Sequence, residues 1–124
     1  MTIRVMVVDD TDHVREMLAT MLELDGFEVV AKVASGPEAI AKLDGATPDI
    51  VVMDYKMPEM DGITATRRLR ELAPSVPVIL YTAYVDDGIE AQARDAGAAL
   101  VLGKVEGLEQ LERSISEMCI DLMS

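Results

Sequence analysis

Residues 50–62 read IVVMDYKMPEMDG, and the first four positions are apolar, three of them with branched side chains. A continuous apolar run of this length is typical of a strand that is buried on both faces, as in a parallel sheet. Asp54 follows the run directly, and Pro58 together with Asp61-Gly62 supplies turn residues that end the strand. The sequence therefore predicts a buried strand with the Asp54 carboxylate at its carboxyl end.

The same succession of strand and helix is predicted on both sides of this stretch. Further strands are predicted at residues 3–8, 28–33, 76–81 and 98–102, which are short and largely apolar. After each strand, apolar residues recur every three to four positions, which indicates a helix with one buried stripe. The fourth helix, residues 86–96, is rich in alanine and is expected to pack weakly. The residues predicted to face the core from the other four helices are Val14, Met17, Leu18, Met21 and Leu22; Ala39, Ile40 and Leu43; Ile63, Thr66, Leu69 and Leu72; and Leu108, Leu111, Ile115, Met118, Cys119 and Leu122.

Local signals mark where several of these helices begin and end. Gly26 and Gly97 suit the left-handed conformation that closes many helices. Ser35 and Glu38 match a capping box at the start of the second helix. The third helix is predicted to end before Pro74, because proline cannot continue a helix.

Five strands that alternate with five helices predict an α/β fold, a doubly wound five-stranded parallel sheet of the flavodoxin-like (βα)5 kind. For the strand order 2-1-3-4-5, the order reverses between strands one and three, and ligands bind beside the carboxyl ends of the strands at such a point. The length of 124 residues fits one domain, residues 1–124.

Polar residues follow four of the five strands, and the predicted topology brings them to one edge of the sheet. Strand one is followed by Asp9-Asp10, strand three by Asp54, strand four by Thr82 and strand five by Lys104. Three converging carboxylates repel one another, and a hard divalent cation such as Mg²⁺ relieves this repulsion. A lysine and a hydroxyl nearby can hold a phosphoryl group. This pattern predicts phosphoryl transfer to Asp54 with Mg²⁺ as cofactor.

Composition narrows the class of protein. The net charge of −12 argues against direct binding to nucleic acid or to an anionic membrane. Arg67, Arg68 and Arg70 form the only basic cluster, which is expected to be a solvated helix face. Cys119 is the only cysteine, so no intrachain disulfide can form, and no run is long enough to be a signal peptide or a membrane span. We therefore expect a cytoplasmic protein. His13 is expected to face solvent.

With these residues in place, the chain resembles the receiver domains of response regulators in two-component signalling, and the resemblance extends over its whole length. The residues that carry it are Asp9-Asp10, Asp54 with the segment up to Asp61-Gly62, Thr82-Ala83 and Lys104. The resemblance implies that a histidine kinase or a histidine phosphotransfer protein donates a phosphoryl group to Asp54. The protein would then catalyse only its own aspartyl phosphorylation and dephosphorylation, and would be no enzyme in the ordinary sense.

The resemblance also implies a role for each residue of the site. Mg²⁺ would be bound by Asp10, Asp54 and the backbone carbonyl of Lys56, with Asp9 acting largely through water. Thr82 and Lys104 would hold the phosphoryl group, and their movement would reshape the surface around the fourth helix, fifth strand and fifth helix. Homodimerisation through that surface on phosphorylation is left open, as are the kinase, the downstream protein target and whether the chain is a complete regulator. Its last residues weakly favour a stand-alone protein.

Two positions depart from the family pattern. Val101 stands where an aromatic switch residue is usual, and Val105 stands where a proline usually follows the lysine. We hypothesise that Tyr84 takes part of the switch role. Lys56 and Tyr84 are also expected near the mouth of the site, where bulky side chains hinder hydrolytic water, which predicts a long-lived phosphorylated state.

Alternative functions come from other classes of protein. A phosphatase resembling the haloacid dehalogenases would use Asp10 as nucleophile, because Asp10-Thr11-Asp12 imitates its Asp-x-Asp motif. Against it, no acidic pair follows Lys104 on another strand, and the chain leaves no room for the usual cap over the substrate. A flavodoxin-like electron carrier lacks the expected aromatic residues and phosphate loop. A phosphorylation-independent interaction module is harder to exclude, since Val101 and Val105 alter the output side.

Overall fold

The computed structural model describes residues 2–120 and contains one five-stranded sheet. All neighbouring strands are parallel, in the order β2-β1-β3-β4-β5, which confirms the predicted fold. The strands are β1 (Arg4–Val8), β2 (Glu28–Val33), β3 (Ile50–Met53), β4 (Val78–Thr82) and β5 (Leu100–Gly103). The helices are α1 (Asp12–Leu24), α2 (Gly36–Ala46), α3 (Gly62–Leu72), α4 (Asp87–Asp95) and α5 (Leu108–Met118), and a 3₁₀ turn that the sequence did not predict spans Lys104–Glu106.

Two apolar layers cover the sheet. Successive side chains of a strand point to opposite faces, so each central strand contributes to both layers. Helices α1 and α5 pack on one face, and α2, α3 and α4 pack on the other. All four residues of β3 are buried, as predicted for a strand covered on both sides. The Asp54 end of this strand is therefore held rigidly at the centre of the sheet.

Strands β4 and β5 each begin two residues later than predicted. Val76 donates its backbone N–H to Ala73 in a turn, and Pro77 has no N–H to give, so β4 starts at Val78. The amide of Ala98 donates to the carbonyl oxygen of Ala93 and closes α4, so β5 starts only at Leu100.

Three residues predicted to face the core are exposed instead. Met17 and Met21 on α1 are 60% and 40% exposed, and Leu72 at the end of α3 is 54% exposed. The buried stripe of α1 is narrower than predicted and consists of Leu18, Ala19 and Leu22, because the helix packs on one flank of the sheet. The prediction for Leu122 lies outside the described residues.

The predicted helix signals are largely present. Gly26 and Gly97 have φ of 98° and 104°. Ser35 accepts a hydrogen bond from the amide of Glu38 at 3.2 Å, but the Glu38 carboxylate accepts from the amide of Ala34 and not from that of Ser35, so the capping box is not reciprocal. The basic cluster on α3 was predicted to be a solvated helix face, but this does not hold for Arg70. Its guanidinium donates a hydrogen bond to the carbonyl oxygen of Val76.

The longest helix in residues 2–120 has 13 residues, and none there has the length and apolar character of a membrane span.

Candidate functional site

Hydrogen bonds of the sheet hold two of the acidic residues in place. Strands β1 and β3 pair in parallel, with Val8 beside Met53. The amide of Asp54 donates to the carbonyl oxygen of Val8 at 3.0 Å. The amide of Asp9 donates to the carbonyl oxygen of Val33 at 3.1 Å, which extends the pairing of β1 with β2. Both residues thus leave the sheet at the point where strand order reverses.

Asp9, Asp10 and Asp54 form a carboxylate cluster. Each offers one oxygen atom, and these oxygens lie within 4.8 Å of one another. Burial raises the pKa of Asp54, and the Asp9 carboxylate raises it further, although Lys104 and the amide of Tyr55 act to lower it. Three carboxylate oxygens at this spacing fit a hard divalent cation such as Mg²⁺. It is the only such cluster in the described part of the chain.

Lys104 supplies the positive charge of the site. It begins the 3₁₀ turn after β5, and its Nζ lies 2.9 Å from Oδ2 of Asp9 and 3.8 Å from Oδ2 of Asp54. Burial works to lower the pKa of Lys104, but its hydrogen bond to Asp9 and the charge of Asp54 outweigh this effect, so the pKa is raised. The side chain therefore remains an ammonium group between two carboxylates.

Thr82 is the fifth predicted side chain of the site, and its hydroxyl lies close to Asp54. It is the last residue of β4 and is fully buried. Its hydroxyl accepts a hydrogen bond from the amide of Tyr84 at 3.2 Å and is one of the groups that lower the pKa of Asp54. The structure thus brings together all five side chains predicted for the site, from Asp9 to Lys104.

The loop between β3 and α3 turns sharply beside Asp54. The amide of Gly62 donates to the carbonyl oxygen of Tyr55 at 2.7 Å, and Glu59 has a positive φ of 70°. A β-carbon at Gly62 would overlap the carbonyl oxygen of Asp54, so only glycine fits there. This close approach fixes the loop that carries Lys56.

Lys56 and Tyr84, which lie in the loops after β3 and β4, contact each other. Nζ of Lys56 lies 4.9 Å from the centroid of the Tyr84 ring, in a cation–π contact that joins two loops. Both side chains are exposed. A cavity of about 260 Å³ lies beside them, with Met57 and Ile89 in its walls. The expectation that both side chains lie near the mouth of the site stays a prediction.

A larger apolar groove lies between α1 and α5. Its volume is about 410 Å³, and its lining includes Met17, Met21, Tyr81, Lys104 and Leu108. The two methionines, wrongly predicted to lie in the core, form one wall. Because Lys104 also lines the groove, the groove opens next to the carboxylate cluster.

Arg15 contacts the site but was not among the residues predicted for it. Its guanidinium donates to the carbonyl oxygen of Asp9 at 2.8 Å and to the carboxylate of Asp12 at 2.7 Å. A cation three residues after Asp12 on a helix is a signal that was available in the sequence. The contact with the backbone of Asp9 was not predictable, because it depends on how the turn after β1 folds.

The sequence model of the response regulator receiver domain matches residues 5–116. Among curated proteins, response regulator GacA of Pseudomonas viridiflava is 40% identical over 114 residues, which are 91% of this chain and 53% of GacA. Chemotaxis protein CheY of Bacillus subtilis is 39% identical over 97 residues, which are 74% of this chain and 81% of CheY. The chain spans about half the length of the GacA proteins it matches.

One relative has an enzyme name. The protein-glutamate methylesterase/protein-glutamine glutaminase of Alkalilimnicola ehrlichii is 37% identical, but the match covers only 33% of that protein. The activity in its name therefore stays with that protein and is not transferred to this chain.

Solved structures agree with these relatives. A two-component response regulator of the LuxR family from Aurantimonas sp. SI85-9A1 superposes with a TM-score of 0.85 at 33% identity, covering 94% of this chain and 87% of that one. Chemotaxis protein CheY4 of Vibrio cholerae has a TM-score of 0.86 at 26% identity, covering 95% and 99%. The family match, the curated relatives and the shared fold together show that this chain belongs to the receiver domains of two-component response regulators.

Proposed function

We propose that this chain, as one receiver domain over residues 1–124, accepts a phosphoryl group on Asp54 and signals through altered contacts with other proteins. The donor would be the phosphohistidine of a histidine kinase or of a histidine phosphotransfer protein. The observation that carries the proposal is the grouping of the Asp54 carboxylate with the ammonium group of Lys104, 3.8 Å away, and with the carboxylates of Asp9 and Asp10, whose oxygens lie within 4.8 Å. The proposal places the protein in the cytoplasm, where such kinases use ATP.

The chain's own residues account for the transfer step. A carboxylate oxygen of Asp54 attacks the phosphorus atom, the bond between phosphorus and the donor's imidazole nitrogen breaks, and that nitrogen keeps the electron pair. The ammonium group of Lys104 and the hydroxyl of Thr82 donate hydrogen bonds to the phosphoryl oxygens as their charge develops. Thr82 ends β4 and Lys104 directly follows β5, so the sheet brings both groups close to Asp54.

Magnesium is part of the proposal. Asp9, Asp10, Asp54 and the backbone carbonyl of Lys56 would hold it, and it would neutralise charge on the transferring phosphoryl oxygens. Support comes from the oxygen-only carboxylate cluster. It also comes from a structural neighbour, a CheX-CheY-BeF₃-Mg²⁺ complex from Borrelia burgdorferi, which superposes with a TM-score of 0.81 at 25% identity.

Docking of the donor protein is proposed at the groove between α1 and α5. Exposed Met17 and Met21 offer apolar contact area, and Lys104 connects that surface to the site. The downstream protein, and homodimerisation on phosphorylation through the face of α4, β5 and α5, belong to the same proposal. Direct binding to nucleic acid or to a membrane is not part of it.

Output is proposed to involve Tyr84, since Val101 is buried in β5 and offers no aromatic ring. The amide of Tyr84 donates to the Thr82 hydroxyl, so a shift of Thr82 toward a phosphoryl group also moves the Tyr84 ring, and the loss of this ring in Tyr84→Ala removes its effect on neighbouring groups. We expect phosphorylation to change the amide spectrum of the parent far more than that of Tyr84→Ala. Equal changes in the two proteins would contradict this switch role.

The test of the main proposal is the intact mass after incubation with acetyl phosphate, with and without Mg²⁺. The parent is expected to gain one phosphoryl group only with Mg²⁺, and Asp54→Asn is expected to gain none. Asp95→Asn is the matched control, because Asp95 is 80% exposed and pairs only with Arg67. This control should be phosphorylated like the parent.

Two outcomes would overturn the proposal. Failure of the parent to gain mass under any condition would favour an interaction module that does not depend on phosphorylation. A gain that survives Asp54→Asn but is lost in Asp10→Asn would favour the phosphatase alternative. No contact in the described residues favours either alternative over phosphorylation of Asp54.

A further inference from the structure

Arg15 is anchored to the backbone of the carboxylate cluster. It lies in the first turn of α1 with its side chain 15% exposed, whereas its carboxylate partner Asp12 is 87% exposed. One guanidinium nitrogen donates to the carbonyl oxygen of Asp9 at 2.8 Å, and the other donates to Asp12 at 2.7 Å. The inward contact is therefore the one with the main chain of Asp9.

That carbonyl oxygen belongs to the peptide unit that joins Asp9 to Asp10. A peptide unit is planar, so the direction of its carbonyl also sets the direction of the following N–H and the position of the next Cα. Rotation of this unit would therefore move the Asp10 carboxylate relative to that of Asp9. Arg15 holds the unit in one orientation.

The other polar groups of Asp9 have their own partners. Its amide donates to Val33, its Oδ1 accepts from the amide of Thr11 at 2.9 Å, and its Oδ2 accepts from Lys104 at 2.9 Å. Asp9 is only 2% exposed, so water cannot readily replace a lost partner. If Arg15 were removed, the carbonyl oxygen would be the only polar group of Asp9 to lose its hydrogen-bond partner, and the Asp9–Asp10 peptide would be free to rotate.

The charge of Arg15 and its contact with the Asp9 carbonyl oxygen predict opposite effects on the affinity for a divalent cation. A guanidinium cation near three carboxylates repels a divalent cation, so its removal should strengthen cation binding if Coulomb interactions dominate. If orientation of the Asp9–Asp10 peptide dominates, removal should weaken binding. The sign of the change therefore separates the two effects.

We infer that Arg15 is a positioning residue, which holds the Asp9–Asp10 peptide so that both carboxylates face one bound divalent cation, and that Asp12 holds the outer side of its guanidinium. The inference rests on the magnesium site proposed above. Arg15 does not touch the cation in this scheme. It acts through the carbonyl oxygen of Asp9, as groups that orient metal ligands commonly do.

The experiment measures Mg²⁺ affinity by calorimetric titration of the parent, Arg15→Met and Arg67→Met in the absence of any phosphoryl donor. Methionine keeps the apolar stem of arginine and removes both the charge and the donors. We expect Arg15→Met to bind Mg²⁺ about tenfold more weakly than the parent. Arg67→Met is the matched control, since it also removes one arginine of an Arg–Asp pair, and it should bind like the parent.

A second readout needs no metal. The amide resonances of Asp10 and Thr11 should shift in metal-free Arg15→Met and stay in place in Arg67→Met, because only the first variant frees the Asp9 carbonyl. Arg15→Lys keeps the charge but not the two-armed donor, so we expect its affinity to lie between those of the parent and Arg15→Met. It also replaces Arg15→Met if that variant does not fold.

The failures of the two proposals are distinguishable. A parent that binds no Mg²⁺ overturns the magnesium site itself. A parent that binds Mg²⁺, together with an Arg15→Met variant that binds equally well or more tightly, overturns only the role of Arg15.

Discussion

Glu112 shows how one side chain can set the pH dependence of stability. It lies on α5, and its Oε2 is buried. Burial, followed by the nearby carboxylates of Asp25 and Glu109, raises the pKa of Glu112 to about 7 from an ordinary 4.5. The folded protein therefore holds a proton on Glu112 at pH values where the unfolded chain has released it.

The predicted result is a free energy of unfolding that declines as pH rises. The contribution of Glu112 is fully present below its ordinary pKa of 4.5 and is lost as pH rises through about 7. Glu112→Gln keeps an uncharged side chain of the same size, so it should lose less stability between pH 5 and pH 8. Urea unfolding at several pH values measures this difference. Glu117→Gln is the control, because Glu117 is exposed on the same helix. The prediction would be contradicted if the free energy of unfolding of Glu112→Gln changed with pH as steeply as that of the parent.

At the scale of elements, the loop from β3 to α3 depends on one glycine. A β-carbon at Gly62 would overlap the carbonyl oxygen of Asp54, so Gly62→Ala must displace the start of α3 or the end of β3. We expect it to cost about 1–3 kcal/mol of stability and to slow phosphorylation by acetyl phosphate. Gly45→Ala in α2 is the matched control. The β-carbon that alanine adds there has no atom of another part of the protein within 4 Å.

The control should have the opposite effect on stability. Alanine favours a helix over glycine by roughly 0.5–1 kcal/mol, so Gly45→Ala should unfold at a higher urea concentration than the parent and be phosphorylated at the same rate. Similar stability for Gly62→Ala and Gly45→Ala would contradict the prediction, because it would show that the loop accommodates a β-carbon at position 62 at little cost in free energy.

The contact between Lys56 and Tyr84 joins the loops after β3 and β4, and we expect it to shield the mouth of the site. We predict that the double variant Lys56→Ala, Tyr84→Ala loses its phosphoryl group faster than the parent, because water reaches the acyl phosphate more easily. A cation–π contact of about 0.5–1 kcal/mol corresponds to a change of about two- to fivefold in rate. Decay of the phosphorylated mass over time measures it. Decay no faster than in the parent would refute the shielding role, and Val105→Ala, exposed on the 3₁₀ turn, is the control.

At the scale of the whole molecule, the cluster of carboxylates links cation binding to unfolding. The buried charge of Asp54 is costly without a cation, as its raised pKa indicates. We therefore expect metal-free Asp54→Asn to be more stable than the parent at neutral pH. Added Mg²⁺ should stabilise the parent more than the variant, because a ligand that binds only the folded state raises its stability.

Thermal unfolding with and without Mg²⁺ tests this order. The parent should gain most from Mg²⁺ and approach or pass the variant. Asp95→Asn should follow the parent under both conditions, since Asp95 lies at the surface. Equal stabilisation of the parent and Asp54→Asn by Mg²⁺ would place the cation away from Asp54.

The fold and most of the candidate site were predictable because both depend on periodicity and on strand ends. Apolar runs indicate strands, and a parallel sheet gathers their carboxyl ends at one edge, so Asp9, Asp10, Asp54, Thr82 and Lys104 could be grouped without coordinates. Start points of β4 and β5 were less predictable, because turn hydrogen bonds compete there with the sheet.

The sequence by itself determined the order of strands and helices along the chain, the parallel character of the sheet and the residues that meet at the carboxyl ends of its strands. Only the tertiary structure decided that Met17 and Met21 line an exposed groove, that Lys104 pairs with Asp9, and that Arg15 holds the backbone of Asp9. The physical reason is that periodicity specifies which elements form and in which direction their ends point. The width of a buried stripe and the partner of a long charged side chain depend on how closely neighbouring elements pack.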